Sequence, residues 1–565
     1  MKMDLIKKLR VQFSKYNLDG YIVPKNDEYF SEFSSRDRLN KISNFTGSAG
    51  YAVILKKKSY LFVDSRYTIQ AKIESGKKFE IIDYQKIINY KFFKNLKIGL
   101  DPSLFTSGQI KKIFPNSKIR IIKENLIDKI IKFKDNNTKP FYSLNKKIVG
   151  EDYKKKIDKI ITYLKKNRLD YILITAPENV AWILNIRGYD SPTSPIPNSY
   201  LLISNNKKKY IIAKKYKLQK LIKEKKINTG EVIDPLKIDK FLKSLSGKKI
   251  SIDTKTCSLY IEKLLNRKFE IFKSEDPIYF LKSIKNKIEI QNMIKAHIND
   301  GVALTKFLYW IKEVNKKNIT EVDAQNKLEK FRKKNKDYLF PSFNTIAGSG
   351  KNAAIVHYRA NKKNTRTIKE KDIFLCDSGG QYKYGTTDVT RTICFSRQNT
   401  NIKKIFTYVL KGHIAVATTN LNKINIGKKI DINARKFLKK EGLDYGHGTG
   451  HGVGFFLNVH EGPQAISKNN SIEIKEGMIL SNEPGFYKTG SYGIRIENLV
   501  YVNKKSKKLF FNNLTLAPID RDLIDSKILT KYEKEYLFRY HLEVYSKISP
   551  FLNINERKWL ARSIQ

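Results

Sequence analysis

Two stretches of the chain carry the same succession of hydrophobic patterns. LIKKLRVQFSKYN has the i, i+3, i+4 spacing of an amphipathic helix and runs into LDGYIVP, a short apolar strand closing on proline. Further on, IDKIITYLKKNR is another such helix and runs into LDYILITAP. Each is followed by paired alternating segments, YAVILKKKSYLFVDSRY in the first and SYLLISNNKKKYIIAKKY in the second, which read as strand pairs. The pattern predicts a duplicated α/β domain, with one copy over 1–145 and the other over 146–283.

From Ser283 the pattern changes. KNKIEIQNMIKAHINDGVALTKFLYWIKEV predicts one long helix, with shorter helices around Glu321–Asn335, Ile402–Thr419 and Asp431–Glu441. Between and after them KDIFLCDSGG, TTDVTRTICF, EGMILSNEP and GIRIENLVYV read as strands, which makes 284–565 an α+β domain. Beyond Ala517 the tail, about 518–565, is helical and shows no chemistry of its own. A length of 565 residues accommodates roughly three or four domains, and 41% hydrophobic residues suffice for packed cores. The N-terminal helix lacks the continuous apolar stretch of a signal peptide, and no run of about 18 apolar residues predicts a membrane span. Three cysteines without metal-type spacing, Cys257, Cys376 and Cys394, fit a reducing cytoplasm.

The formal charge of +55 raises the question of a nucleic-acid partner. The basic residues are mostly Lys spread through every segment, without the Arg forks and stacking aromatics of nucleic-acid readers. The charge is therefore read as a solvated surface, and no nucleic-acid partner is expected.

The candidate chemistry is confined to the last third. Asp377, Asp388, His451, Glu483 and Glu497 stand in LCDSGG, TTDVTRT, HGTGHGVG, SNEPG and GIRIEN. Four carboxylates with one imidazole suit a pair of hard or borderline divalent ions such as Mn²⁺, and two such ions close together make a hydrolytic centre. Asp377 ends one strand and Asp388 lies in the next, so a hairpin could bring both to one end of a sheet. Arg495 and Glu497 share a face of a strand, and the alternating glycines around His447 and His451 let backbone approach a ligand. Of seven histidines, His357, His447, His451 and His460 fall in these contexts. The other three, His297, His413 and His541, sit in helical patterns and read as structural.

These strings, with SFNTIAGSGKNAAIVHY, NVHEGP and EPGFY, make the segment from about Ser283 to Ile519 resemble the pita-bread catalytic domain of the M24 metallopeptidases. Within that group the chain is most similar to the Xaa-Pro aminopeptidase (aminopeptidase P) family in its long, three-domain form. FTGSAGYAVI, VDSRYTIQA and ENVAWILNIRGYD are similar to its two creatinase-like N-terminal α/β domains. The resemblance implies that Asp377, Asp388, His451, Glu483 and Glu497 hold two divalent ions, most readily Mn²⁺. Asp388 and Glu497 would bridge them. It implies a metal-activated water as nucleophile and Glu483 as general acid/base. His357 and His460 would steady substrate and oxyanion, and His447 and Arg495 would contact substrate. The implied reaction releases the N-terminal residue from peptides with proline second, in a cytoplasmic homodimer without membrane attachment. A prolidase-type Xaa-Pro dipeptidase shares the metal set and is the nearest alternative. A methionine aminopeptidase needs no duplicated front domains, and creatinase uses the fold without the metals. A non-catalytic binding protein on the fold would be expected to have lost ligands.

Overall fold

A computed structural model describes residues 4–84, 93–133, 137–313 and 318–564. The chain packs as two compact units, Met1–Tyr279 and Phe280–Gln565. The described residues of the first unit form two six-stranded mixed sheets. In one, Gly20–Pro24 pairs antiparallel with Tyr51–Leu55 and parallel with Lys97–Leu100. In the other, Tyr171–Ile174 pairs antiparallel with Tyr200–Ser204 and parallel with Lys249–Ile252. Counting strands from the start of each, both sheets run fourth, third, second, first, fifth, sixth, with the same orientation at every pairing. The repeated Leu-Asp has a physical role in both. Leu18 and Leu169 are buried. The Asp19 carboxylate accepts the Lys97 N–H, and that of Asp170 accepts the Lys248 and Lys249 N–H groups, tying the first strand to the fifth. The preceding helices, Leu5–Lys15 and Tyr153–Lys166, are capped by Asp4 and Asp152 and bury the stripes Ile6, Leu9, Phe13 and Ile157, Ile160, Ile161, Leu164.

The second unit begins with α1 (Lys287–Glu313) and α2 (Glu321–Lys333). The strands β1 (Ile346–Ser349), β2 (Ile373–Ser378) and β3 (Val389–Cys394) form an antiparallel sheet. Then come α3 (Thr400–Ala417) and α4 (Gly427–Lys439). The strands β4 (Gly450–Gly452), β5 (Glu461–Ile466), β6 (Ile479–Asn482), β9 (Asn498–Lys505) and β10 (Lys508–Asn513) make a second sheet in the order β5-β4-β6-β9-β10. Between β6 and β9 lies the two-stranded ribbon of β7 (Gly485–Lys488) and β8 (Tyr492–Arg495). Two helices, α5 (Lys531–Ile548) and α6 (Ile554–Ile564), complete the chain. One buried cluster draws Phe307 and Leu308 of α1, Phe374 of β2, Phe406 and Val409 of α3, and Val544 and Ile548 of α5 into a shared core. The sheets therefore rest on helices from both ends of the unit.

GIRIENLVYV was expected as one strand, and the structure breaks it. β8 ends at Arg495 and β9 starts at Asn498. Here the chain leaves its partner β7 and joins β6, and the Glu497 N–H bonds instead to the Thr390 carbonyl of β3. The break is a passage between sheets, a long-range event that a two-residue period does not record.

A fully buried ion triad lies beside β4. Glu461 accepts from Lys282 Nζ at 3.0 Å and Lys285 Nζ at 2.6 Å, and all three side chains are 1% exposed. Burial opposes ionisation of Glu461, but the two lysines outweigh it and hold its carboxyl below the usual range. Glu461→Gln would strand two buried ammonium groups at a cost of about 3–5 kcal/mol. A depressed carboxyl contributes stability above its unfolded pKa of about 4.3 and loses it as pH falls through the folded value. Denaturant unfolding should thus find the wild type more stable than Glu461→Gln at pH 7, with the gap narrowing below about pH 4. An equal gap at pH 3 would contradict this ion pairing.

Candidate metal centre

The ligand candidates converge because they occupy matching strand ends. In the β2–β3 pair Asp377 lies opposite Thr390 and Ser378 opposite Val389, so Asp388, just before β3, joins Asp377 on one face at one end. In the β6–β9 pair Asn482 lies opposite Asn498, so Glu483, just after β6, faces Glu497, just before β9. His451 is the middle residue of β4, and its N–H donates to Ser481 Oγ of β6 at 2.9 Å. The glycines beside it serve the protein's own main chain. An added Cβ would come within 1.9 Å of the Ser481 carbonyl oxygen at Gly450 and within 2.3 Å of that of Glu461 at Gly452. Close strand packing, more than approach to a ligand, requires glycine here.

One-atom donors from Asp388, His451 and Glu497 lie within 4.8 Å of one another. His451 Nε2 is 3.5 Å from Asp388 Oδ2 and 3.4 Å from Glu483 Oε1, and its Nδ1 lies 2.9 Å from the Gly452 carbonyl oxygen. Asp377 shares the strand-end face of Asp388 through the β2–β3 register. Burial, together with repulsion from Asp388 and Glu483, lifts the Asp377 carboxyl to about 7 despite Arg495. Burial and the Asp388 charge raise Glu483 against His451 and Arg495, and burial with repulsion from Asp388, Glu483 and Asp377 drives Glu497 well above the carboxylate range. His451 rises to about 9, because Asp388 and Glu483 outweigh a burial that would lower it. Among the described residues, Asp377 Oδ1 and Asp388 Oδ1 are buried and accept no hydrogen bond. Buried acceptors without donors are costly, and crowded carboxylates require positive charge. Two divalent cations satisfy both demands, so the donor set fits the ion pair expected of it.

The surrounding residues hold these candidate ligands in place. Thr390 Oγ1 donates to Glu497 Oε2 at 2.8 Å, and Ser481 Oγ donates to Glu483 Oε1 at 3.0 Å. Arg495, expected at the substrate, is 1% exposed with all three nitrogens engaged. Nη2 donates to Asp377 Oδ2 at 2.6 Å, Nη1 to Tyr487 Oη at 2.6 Å and Nε to Thr390 Oγ1 at 3.0 Å. Tyr487 Oη also lies 2.8 Å from His447 Nε2, so one chain of contacts runs from Asp377 to His447. The exposed His460 meets the His451 ring edge-on, with centroids 4.5 Å apart. His357 is half-buried in the turn after the 3₁₀ segment Gly350–Ala354, which packs so closely on β8 that a Cβ at Gly493 would meet the Ala353 carbonyl.

Several supporting residues escaped the sequence reading. Thr390, Ser481 and Tyr487 lie inside the quoted strings, where only their place beside a ligand could have marked them. His413 was read as structural. It is fully buried on α3, with Nδ1 3.1 Å from the Asn482 carbonyl, while Asn482 Nδ2 returns a bond to the His413 carbonyl. Burial and Arg391 press its pKa down to about 3, so it is a neutral brace behind Glu483. His297 and His541 are likewise buried on helices.

Comparison with known proteins agrees with this geometry. Residues 291–504 match metallopeptidase family M24, and residues 507–565 match the C-terminal region of that peptidase family. Residues 6–129 and 132–289 each match a creatinase/prolidase N-terminal domain. A probable Xaa-Pro aminopeptidase P of Pyrenophora teres is 35% identical over 99% of this chain and 92% of its own. Xaa-Pro aminopeptidase 1 of Dictyostelium discoideum is 36% identical over 99% and 96%. Among solved structures, the X-prolyl aminopeptidase of Caenorhabditis elegans, described as a cytosolic enzyme with a di-nuclear active site, superposes with a TM-score of 0.92 at 29% identity over 99% of both chains. The prolidase of Pyrococcus horikoshii gives 0.53 at 28% identity over 65% of this chain and 99% of its own. This chain belongs to the Xaa-Pro aminopeptidases of metallopeptidase family M24.

Proposed function

We propose that the centre at Asp377, Asp388, His451, Glu483 and Glu497 hydrolyses the first peptide bond of peptides whose second residue is proline. The observation that carries this reading is the convergence of donor atoms from Asp388, His451 and Glu497, together with the orphaned buried Oδ1 atoms of Asp377 and Asp388. The five residues would hold two divalent ions, with Mn²⁺ favoured by an oxygen-rich set with one imidazole. Such ions supply an activated water and polarise the scissile carbonyl.

The protein's own groups do the remaining work. Ser481 fixes one oxygen of Glu483, whose burial raises its proton affinity above that of an ordinary carboxylate, the direction a general acid/base requires. His460, exposed beside His451, and His357 are assigned to donate to substrate and developing oxyanion. His447, held by Tyr487, lines the pocket for the proline ring. Arg495 is reassigned here: with its guanidinium spent on Asp377, Tyr487 and Thr390, it positions a ligand rather than the peptide. An X–Pro bond lacks an N–H and constrains the residue before it, which gives a dedicated site its rationale.

A three-domain chain, divided near 145 and 283, supports an aminopeptidase over a prolidase-type dipeptidase, as does full-length likeness to the nematode enzyme. A cytosolic location is supported by that neighbour's description and by three buried cysteines that form no disulfide. Among the described residues no helix is long and apolar enough to cross a membrane. Exposed Phe538, Leu542, Phe551 and Ile554 at the C-terminal end support a homodimer.

Chelation should abolish cleavage of an X-Pro-X tripeptide and Mn²⁺ should restore it. Glu483→Gln should lower kcat by about 10²–10⁴-fold. Equal activity of the two proteins under saturating Mn²⁺ would sink the mechanism. Tripeptides should also outperform Xaa-Pro dipeptides in kcat/KM, and the reverse order would favour the dipeptidase. Light scattering during size exclusion should return twice the chain mass, whereas a monomer at micromolar concentration would refute the dimer.

A further inference from the structure

Arg391 of β3 is among the largest fully buried side chains, and among the described residues its hydrogen bonds reach no carboxylate. Nη1 donates to the Thr390 and Glu497 carbonyls at 2.8 and 2.7 Å. Nη2 donates to Asn498 Oδ1 and the Ala517 carbonyl, each at 2.8 Å, and to Tyr540 Oη at 2.9 Å. Nε donates to the Pro518 carbonyl at 3.0 Å. One guanidinium thus joins the main chain of Glu497 to three residues of the C-terminal region, beyond the segment matching the peptidase family itself. Tyr540 on α5 closes the arrangement. Its hydroxyl has the Ala517 carbonyl at 2.9 Å and the Thr515 carbonyl at 3.1 Å as acceptors, and it receives the Ala517 N–H at 3.4 Å. The next residue, His541, receives the Ile519 N–H on Nε2 at 3.1 Å. Leu516 and Ala517 share the core with α1 and α3, so this segment is packed as well as bonded.

Fixing a charged fork with neutral acceptors inside a core is costly unless every nitrogen is satisfied. Removing an acceptor therefore displaces the fork, and with it the carbonyl of the residue that projects into the metal centre. We propose that docking of α5 through Tyr540 and Arg391 sets the geometry of Glu497, which makes Tyr540 and Arg391 positioning residues for the metal pair. This rests on the reading of the centre given above. By linkage the effect is reciprocal: whatever factor α5 docking contributes to ion affinity, bound ions return to the stability of α5 docking.

The test uses the full-length protein and Mn²⁺. Tyr540→Phe removes one hydroxyl and keeps the ring. Its Mn²⁺ affinity, titrated calorimetrically, should fall about tenfold, the lower end of what loss of an outer-shell partner costs. Its kcat should fall with KM little changed. Tyr536→Phe, one turn earlier on α5, removes the hydroxyl of a half-buried ring that, among the described residues, accepts from Asn513 and makes no bond to Arg391 or to the 515–519 main chain, and should match wild type in both respects. In the wild type, Mn²⁺ should slow amide exchange in 515–519 and Lys531–Ile548 by a similar factor, a readout that needs no variant to fold. Equal Mn²⁺ affinity in the two variants, or exchange in α5 indifferent to Mn²⁺, overturns the proposal. A wild type that binds no Mn²⁺ pair overturns the reading of the centre along with it.

Discussion

Crowding of buried negative charge is the constraint on which the catalytic unit depends. Asp377, Asp388, Glu483 and Glu497 are drawn together, and burial with the crowding of like charge makes Asp377, Glu483 and Glu497 harder to ionise. Arg495 and His451 supply part of the missing positive charge, yet two carboxylate oxygens still lack any partner among the described residues. An arrangement this unfavourable by itself is understandable as the ligand cage of divalent cations, whose binding free energy is available to hold it together.

The fold keeps the cage from relaxing. Antiparallel pairing brings two carboxylates to one strand end in each of two sheets, and Thr390 bonds across from one sheet to the other at Glu497. Behind the sheets, His413 on α3 braces Asn482, and Arg391 gathers β3, β9 and the C-terminal segment. The supporting contacts come from residues up to 149 positions apart in sequence, as between Arg391 and Tyr540. Few of them are replaceable by local adjustment.

That separation explains what could be read from the sequence. The duplicated front domains were legible because their signal is a local succession that occurs twice: a capped amphipathic helix, Leu-Asp, an apolar strand and a strand pair, even though the Asp itself bonds to a strand 78 residues on. The convergence of the candidate ligands was legible because carboxylates in apolar strands and scarce histidines in glycine-rich turns conflict with packing and so call for another explanation. The strand break at Ile496–Glu497 was hidden, since apolar alternation continues through it while the partner strand changes. Tyr487, His413 and Tyr540 were hidden for a related reason. Tyr487 meets Arg495 across the β7–β8 ribbon, His413 and Tyr540 meet partners 69 and 149 positions away, and Tyr540 sits in a tail whose pattern shows only an amphipathic helix. A strand period gave Arg495 and Glu497 one face, but not the contacts of Arg495 with Asp377, Tyr487 and Thr390, because a period gives the face and not the partner.

The central claim is that this cage holds two ions. Its most direct test is the stoichiometry of Mn²⁺ bound to the purified full-length chain, measured by metal analysis after equilibrium dialysis, for wild type and for Glu497→Gln. The account predicts about two equivalents in the wild type and fewer than two in the variant at the same free Mn²⁺. A wild type that saturates at one equivalent or none, or a variant that keeps both, would contradict it.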